Sequence, residues 1–474
     1  MREGGPDTCV SERHIDQDGF HTLCAQQSSA PPPRRDCAGK DVALFSATCR
    51  RFHQLSDAVS HLHFLGGKGQ GRGLGAFELL VSERVVRATD LRCLKVETRW
   101  TVSDLSFFFW VSHVKDTLQK LQLTETRLGE NLADRLRTAS KCPKLTALEL
   151  LTSSDDSYVR LEPGFQAGCA RYRKLVKLTL EHVIMSDPVL ESLLKLCPVL
   201  KELELTGVFG LQSPSIVGEK LERLKLMRAV PTVPSSELPG ALTLQAPALQ
   251  GLAMSRFTQL RFVGTSTALY DLDLLDCEKI DICGDPSLGN VQFLSVRSSE
   301  YRGPRYLWMW EWLSTSLLRK CPNLWELMLD MEIETPLNGT CPWAVLASLG
   351  DLHELVLRET AIEFVCEHWE RAVETRQACL PNLRVLVVSA GTMSRRLLTF
   401  LDYVLQSAKL LEVLTVRAEW HEERLEVDAA IDPRYFSDLF KLQRSFPKVS
   451  FNFELPGSSQ GSVDQEDSEN STLG

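Results

Sequence analysis

A pattern of ten residues recurs in this chain and limits what it can fold into. Residues 197–206 read CPVLKELELT, and the same order of cysteine, proline and spaced leucines returns at 142–150 (CPKLTALEL) and 321–329 (CPNLWELML). With one residue inserted, it returns again at 379–388 (CLPNLRVLVV). Internal self-similarity of this kind is typical of repeat architectures, in which each unit repeats one small piece of structure.

The core of the pattern, L-x-x-L-x-L, is more frequent than the full motif. Thirteen copies start at Leu91, Leu118, Leu145, Leu175, Leu200, Leu221, Leu249, Leu269, Val291, Leu324, Leu352, Leu383 and Leu411. Their start-to-start intervals run from 20 to 33 residues, which brackets the period of leucine-rich repeats. One match would mean little, because leucine is common. Thirteen at near-regular spacing predict a leucine-rich-repeat chain.

Each repeat has a simple physical interpretation. Alternate apolar residues in L-x-L point to one face of a strand, and one such unit cannot bury that face alone, so neighbouring units must stack. The remaining residues leave room for a turn and a helix, and residues 187–196 (DPVLESLLKL) have helical spacing with Pro188 near the start and Pro198 after the end. The prediction is an α/β leucine-rich-repeat solenoid of horseshoe form, with a parallel concave sheet and helices outside.

Two stretches depart from the regular repeat. Between 246 and 296, extra alternating pairs at Leu260 and Phe262 and at Ile280 and Ile282 leave little room for helices, which predicts strands on the outer side. Residues 306–313 (YLWMWEWL) form an aromatic cluster that we interpret as helical, with Trp308 and Trp312 on one face and Trp310 on another. Core packing and a partner contact both remain open for this cluster.

The composition excludes several classes of function. The net charge is −9, which argues against binding to nucleic acid or to anionic membranes. No apolar run approaches the roughly 18 residues that span a bilayer, and the first residues lack an apolar signal-peptide core. We therefore expect a cytoplasmic and/or nuclear protein whose fourteen cysteines are reduced.

The sequence offers no chemistry of its own. It contains no C-x-x-C pair, no H-E-x-x-H and no phosphate-binding loop. We expect no metal site, no cofactor and no enzymatic activity. Cys142, Cys197 and Cys321, each before a proline at a helix end, are expected to act as small buried apolar residues.

The chain divides into five expected regions. Residues 1–39 are polar and rich in proline and glycine, and 456–474 are rich in serine, glycine and acidic residues; both ends are expected to be disordered. Between them lie a short helical segment at 40–60, the solenoid at 61–418 and a C-terminal cap at 419–455.

The segment 40–55 (KDVALFSATCRRFHQL) has one apolar stripe at helical spacing. Its Asp41, Val42, Phe45, Cys49, Arg50, Phe52 and Leu55 resemble the C-terminal half of an F-box. An F-box opens with a first helix of the form LPxxLLxxIL, which residues 11–37 do not supply. The box is therefore either truncated or degenerate, and the alternative is a helix that caps the solenoid.

Further stretches resemble plant F-box/leucine-rich-repeat proteins. The wording APALQGL, LRFVG and LYDLDLLDC in the middle is similar to that family, and the region from about 390 resembles its C-terminal FBD segment. The resemblance implies a substrate-recognition subunit of an SCF-type cullin-RING ubiquitin ligase. Its expected partners are a Skp-type adaptor, bound through residues 41–55, and the cullin. The alternative is a repeat scaffold or decoy without the ligase link.

The target protein would bind the concave face, at strand positions that flank the buried pairs. Both charge signs alternate there, which disfavours nucleic acid and fits a protein partner. The residues chosen for this role are Lys177, Glu202, Glu204, Arg223, Lys225, Asp271, Asp273, Arg297, Glu326 and Arg358.

Overall fold

The computed structural model describes residues 59–66, 73–127, 131–152, 158–229, 240–264, 268–277, 280–283, 288–298, 308–331, 333–334, 342–374, 380–390, 394–418 and 433–454. The F-box-like stretch 41–55 and both expected disordered ends lie outside these residues. The chain forms two compact units. The first comprises 1–266 with 282–285, and the second comprises 267–281 with 286–474.

The first unit is built on a parallel sheet, in which eight strands lie within the described residues. They are His61–Gly66, Cys93–Thr98, Lys120–Glu125, Ala147–Thr152, Lys177–Glu181, Glu202–Val208, Arg223–Arg228 and Gly251–Ser255. Neighbouring strands align their buried leucines, so that Leu94 pairs with Leu121 and Leu203 with Leu224. Buried and solvent-facing side chains largely alternate along these strands, as the L-x-L pattern predicts. In Lys177–Glu181, however, all three central residues are buried.

Helices return the chain between these strands, at Leu74–Arg87, Asp104–Val114, Leu132–Ala139 and Asp187–Leu196. The last of them confirms the predicted bounds and carries Pro188 in its first turn. Its Asp187 carboxylate accepts hydrogen bonds from the backbone N–H groups of Gln212 and Ser213, at 3.1 and 2.8 Å. That contact fastens the start of the helix to the next repeat.

Further on, short strands replace the helices. A second sheet is formed by the parallel strands Ser215–Val217, Ala241–Gln245 and Gln259–Phe262. Asp281–Cys283 is the next strand of that sheet, and its Ile282 and Cys283 belong to the first unit. The extra Leu260 and Phe262 pair is buried here, which confirms the predicted strands. The second sheet also starts earlier than the sequence suggested, at Ser215. Nearer the start of the unit, two strands of two residues each pair in parallel, Val159–Arg160 and Val183–Ile184.

The second unit repeats the plan. Its sheet has seven parallel strands among the described residues, Asp271–Leu275, Phe293–Arg297, Glu326–Asp330, Glu354–Arg358, Val385–Ala390, Val413–Ala418 and Ser450–Glu454. Its main helices are Pro342–Ala347, Glu359–Glu374, Arg395–Ser407 and Pro433–Ser445. The repeat architecture is thus an α/β leucine-rich-repeat solenoid, as the sequence predicts.

The aromatic cluster differs from its helical interpretation. Trp308–Met309 form a two-residue strand with Ile333–Glu334, so Trp308 and Trp312 do not share a helix face. The helix starts at Trp310–Trp312, continues as a π-helical turn at Leu313–Leu317 and ends as a short 3-10 turn at Leu318–Lys320. Trp310 is only 1% exposed, so this ring belongs to the core.

The interior follows the repeats closely. All three residues of every L-x-x-L-x-L triplet are buried. Cys142, Cys197 and Cys321 are buried too, which confirms their expected role. Burial raises the pKa of each of these thiols to about 12. They are therefore uncharged packing groups at neutral pH.

Candidate binding face

The register of the strands sets the candidate site. Because neighbouring strands pair position by position, equivalent side chains form rows across each sheet on the side that is not buried. We call these two surfaces the first face and the second face, after their units. The ten residues chosen from the sequence lie on them: Lys177, Glu202, Glu204, Arg223 and Lys225 on the first, and Asp271, Asp273, Arg297, Glu326 and Arg358 on the second.

On the first face, carboxylates meet basic groups of neighbouring strands. The Lys177 ammonium lies 2.6 Å from Glu149, and Lys225 is paired with Glu204. Arg223 lies 3.9 Å from Glu202. Each pair is at least one-fifth exposed and so contributes little to stability, but together they neutralise much of the charge of this surface.

A similar pattern covers part of the second face. The guanidinium of Arg297 donates two hydrogen bonds to the carboxylate of Asp273. Arg358 lies 3.4 Å from Asp330, and Arg417 lies 2.6 Å from Glu454. Of the five residues chosen on this face, Asp273 and Arg297 form one pair and Arg358 belongs to another. Asp271 and Glu326 lie together in the first row.

The first row of the second face differs, because all of its charged side chains are acidic. Asp271 pairs in register with Phe293, Phe293 with Glu326, and Glu326 with Glu354. The pKa of Glu326 is raised, first by burial and then by the negative charges of Glu354 and Asp271. Within the described part of the chain, neither Glu326 nor Glu354 has an ion-pair partner.

Aromatic rings stand beside this row, and the sequence reasoning did not select them. Tyr270, Trp325 and His353 each precede a strand directly, and Phe293 is the first residue of one. Trp325 is 42% exposed, which is unusual for so large an apolar side chain. For Tyr270, Trp325 and His353, the sequence signal is an aromatic residue just before the strand, a position that the L-x-L pattern does not cover.

Other kinds of site receive no support from the described residues. No group of three or more histidine, cysteine, aspartate or glutamate side chains there lies close enough to hold a metal ion. In the same residues, no helix is both long and apolar enough to cross a bilayer. The adaptor-binding candidates Asp41, Val42, Phe45, Cys49, Arg50, Phe52 and Leu55 lie outside the described residues.

Two comparisons with known proteins concern the repeats. The family model for the leucine-rich repeats of the FBD-associated F-box protein At5g56370 matches residues 109–267. The matched part of the repeat region is therefore similar to the repeats of plant F-box/LRR proteins. An F-box/LRR-repeat protein of Arabidopsis thaliana, At1g67190, is 26% identical over 178 residues, which are 36% of this chain and 39% of that relative. The match thus spans about two fifths of the relative's length.

The family match lies almost entirely within the first unit. Residues 109–267 include the strands from Lys120–Glu125 to Gly251–Ser255 and the start of the second sheet. The F-box/LRR resemblance found in the sequence is thereby supported in the repeats, which are the part that carries the first face. Solenoids of this plan present an extended surface along the sheet that is suited to binding.

Proposed function

We propose that this chain is the substrate-recognition subunit of an SCF-type cullin-RING ubiquitin ligase. Residues 41–55 would bind a Skp-type adaptor, which links to the cullin, and the two faces would bind the target protein. The chain supplies no catalytic group in this scheme. It raises the effective concentration of the target near a ubiquitin-charged enzyme, and no new chemistry is needed for that effect.

The observation that carries the proposal is the series of parallel strands in each unit, whose solvent-facing rows carry charged side chains on the first face and on the second face. Such rows are suited to protein recognition, because electrostatic complementarity selects partners more than it adds affinity. The F-box/LRR type of the repeats supports the link to the ligase. A repeat scaffold without that link remains the second candidate, favoured by the absence of LPxxLLxxIL from residues 11–37.

Co-purification with a Skp-type adaptor separates the two candidates. We expect the full chain to retain the adaptor, and Phe52→Asp and Leu55→Asp to lose it, because a charge on an apolar stripe opposes burial. Gln54→Asp adds the same charge off the stripe and is the matched control. If the unaltered, folded chain fails to bind the adaptor, the scaffold without ligase coupling is the correct function.

A further inference from the structure

Four aromatic rings and two carboxylates lie at the start of four consecutive strands of the second unit. The rings are Tyr270, Phe293, Trp325 and His353, and the carboxylates are those of Glu326 and Glu354. We call this set the aromatic–acidic row. All six belong to the second unit and lie at the start of the consecutive strands Asp271–Leu275, Phe293–Arg297, Glu326–Asp330 and Glu354–Arg358.

The rings contact one another in sequence. The ring centroids of Tyr270 and Phe293 are 6.1 Å apart, as are those of Phe293 and Trp325, with interplanar angles of 74° and 59°. The His353 ring stacks on the Trp325 indole at 5.3 Å and 19°. His353 is held in turn by a 2.6 Å contact between its Nδ1 and the backbone carbonyl of Asp351. The four rings are therefore in contact with one another before any partner binds.

The backbone fixes this spacing. The amide of Trp325 donates to the carbonyl of Gln292, and the amide of His353 donates to the carbonyl of Trp325, both at 2.8 Å. Equivalent positions on adjacent strands are about 4.8 Å apart. Glu326 and Glu354, which are paired in register, thus lie side by side and directly follow the two stacked rings in the chain.

Glu326 and Glu354 differ in their ion pairing from other carboxylates on the two faces. On the first face, Glu149, Glu202 and Glu204 each have a lysine or arginine partner. On the second face, Asp273 and Asp330 are paired with arginines. Among the described residues, Glu326 and Glu354 have no such partner. Two adjacent carboxylates repel each other, and that repulsion is relieved when a cation binds between them.

We propose that the aromatic–acidic row binds an arginine side chain from a cationic segment of the target protein. The guanidinium plane stacks on the exposed part of the Trp325 indole, and its N–H groups donate to the carboxylates of Glu326 and Glu354. This inference rests on the proposed function, because it assigns the target to the second face. It adds the chemistry of the target, which the family resemblance does not give.

Arginine fits this row better than lysine does. The guanidinium is planar and delocalised, it stacks on aromatic faces, and its donors form a fork that suits two acceptors at once. A lysine ammonium is a strongly hydrated point charge that gains less from an aromatic face. Tryptophan and arginine are also enriched among the residues that carry most of the binding energy in protein interfaces.

The test uses the full chain and a fluorescein-labelled peptide, Gly-Arg-Gly-Arg-Gly-Arg-Gly, whose binding is followed by fluorescence anisotropy at about 0.1 M salt, where weak long-range attraction is partly screened. We expect saturable binding. Replacement of the three arginines by lysine should weaken it several-fold, and replacement by the neutral analogue citrulline should abolish it.

Protein variants locate the binding site. We expect Glu326→Gln with Glu354→Gln, and separately Trp325→Leu, to weaken binding about tenfold each, since a stacked and paired guanidinium depends on both groups. The control is Glu363→Gln with Glu367→Gln, which removes the same charge from the helix Glu359–Glu374 in the same unit and should change binding less than twofold. Thermal unfolding checks that each variant is folded; should Trp325→Leu be unfolded, the glutamine pair decides alone.

Several results would overturn the inference. They are no saturable binding of the arginine peptide, an equal loss in the control variant, and equal binding of the lysine peptide. Adaptor co-purification is measured on the same variants. Loss of peptide binding with the adaptor retained supports the inference; adaptor loss in the unaltered chain, with peptide binding intact, removes the ligase link and leaves the arginine site in place.

Discussion

Arg135 and Glu125 form an ion pair in the interior of the first unit, with side chains only 1% and 0% exposed. The guanidinium also donates to Asp104 at 3.0 Å and to the backbone carbonyl of Val102 at 2.8 Å. The second carboxylate oxygen of Glu125 accepts the Val102 amide at 2.7 Å. One network thus joins a strand end, the following helix and a loop of the preceding repeat.

Arg135→Ala should destabilise the first unit by about 3–5 kcal/mol, because it leaves the buried Glu125 carboxylate without its cation. The measurement is the urea unfolding transition of the full chain. Arg137→Ala is the matched control: this arginine pairs with Asp134 at 35% and 55% exposure and should change stability by less than about 1 kcal/mol. Equal losses in the two variants would show that burial of the pair is irrelevant.

Gly207→Ala should destabilise the same unit by about 1–3 kcal/mol. Gly207 has φ of +64°, and an added Cβ would lie 2.1 Å from the Cδ2 atom of His182. Gly75→Ala provides the contrast, since an added Cβ there meets nothing within 4 Å and alanine favours a helix by about 0.5–1 kcal/mol. Thermal unfolding of both variants measures the difference, and a stable Gly207→Ala chain would contradict the positive-φ argument.

Glu326→Gln should stabilise the second unit at neutral pH. Burial, and then the charges of Glu354 and Asp271, raise the pKa of Glu326 in the folded state. The folded state therefore binds the proton more tightly than the unfolded state, and stability falls as the pH rises through the interval above the usual glutamate value of about 4.3. Glutamine cannot ionise, so the variant escapes this loss.

The check is the urea midpoint of wild type and Glu326→Gln at about pH 4 and about pH 7.5, on either side of that interval. The advantage of the variant should be present at the higher pH and shrink at the lower one. Glu363→Gln, on an exposed position of a helix, is the control for the substitution itself. A gap that stays constant with pH would mean that glutamine improves packing and that ionisation plays no part.

The thiols of Cys142, Cys197 and Cys321 should resist alkylation in the native protein. Burial removes access, and a pKa of about 12 for each leaves almost no reactive thiolate at neutral pH. Mass spectrometry after a short iodoacetamide treatment should find these residues unmodified in buffer and modified in urea. Cys93 is only partly buried and serves as the internal reference; rapid native labelling of Cys197 would contradict the packing.

The repeats were predictable because their signal is local. Leu203 and Leu205 alternate within one strand, and Leu200 precedes it in the same turn, so three positions in sequence already define a buried edge. The outer strand Gln259–Phe262 follows the same rule, whereas Ala241–Gln245 lies before the stretch in which outer strands were predicted. Pro198 after the helix Asp187–Leu196 adds a stop signal that also depends only on its immediate neighbours.

The rest depends on contacts between distant positions. Arg135 lies on a helix, where an arginine ordinarily faces solvent, and its burial follows from a glutamate that belongs to the preceding strand. The Trp325 and His353 rings meet only because two strands are adjacent. Trp308 joins a two-residue strand through Ile333, a pairing that overrides the helical spacing of the tryptophans.

The register of the sheets also restricts how a partner can engage them. Rows recur about every 4.8 Å across the strands, whereas an extended polypeptide repeats a side chain on the same side about every 6.7 Å. The two periods are incommensurate, so an extended peptide running across the strands falls out of step after one or two contacts. A partner is therefore recognised through a few separate side chains, and its backbone between them makes no regular contacts with the rows.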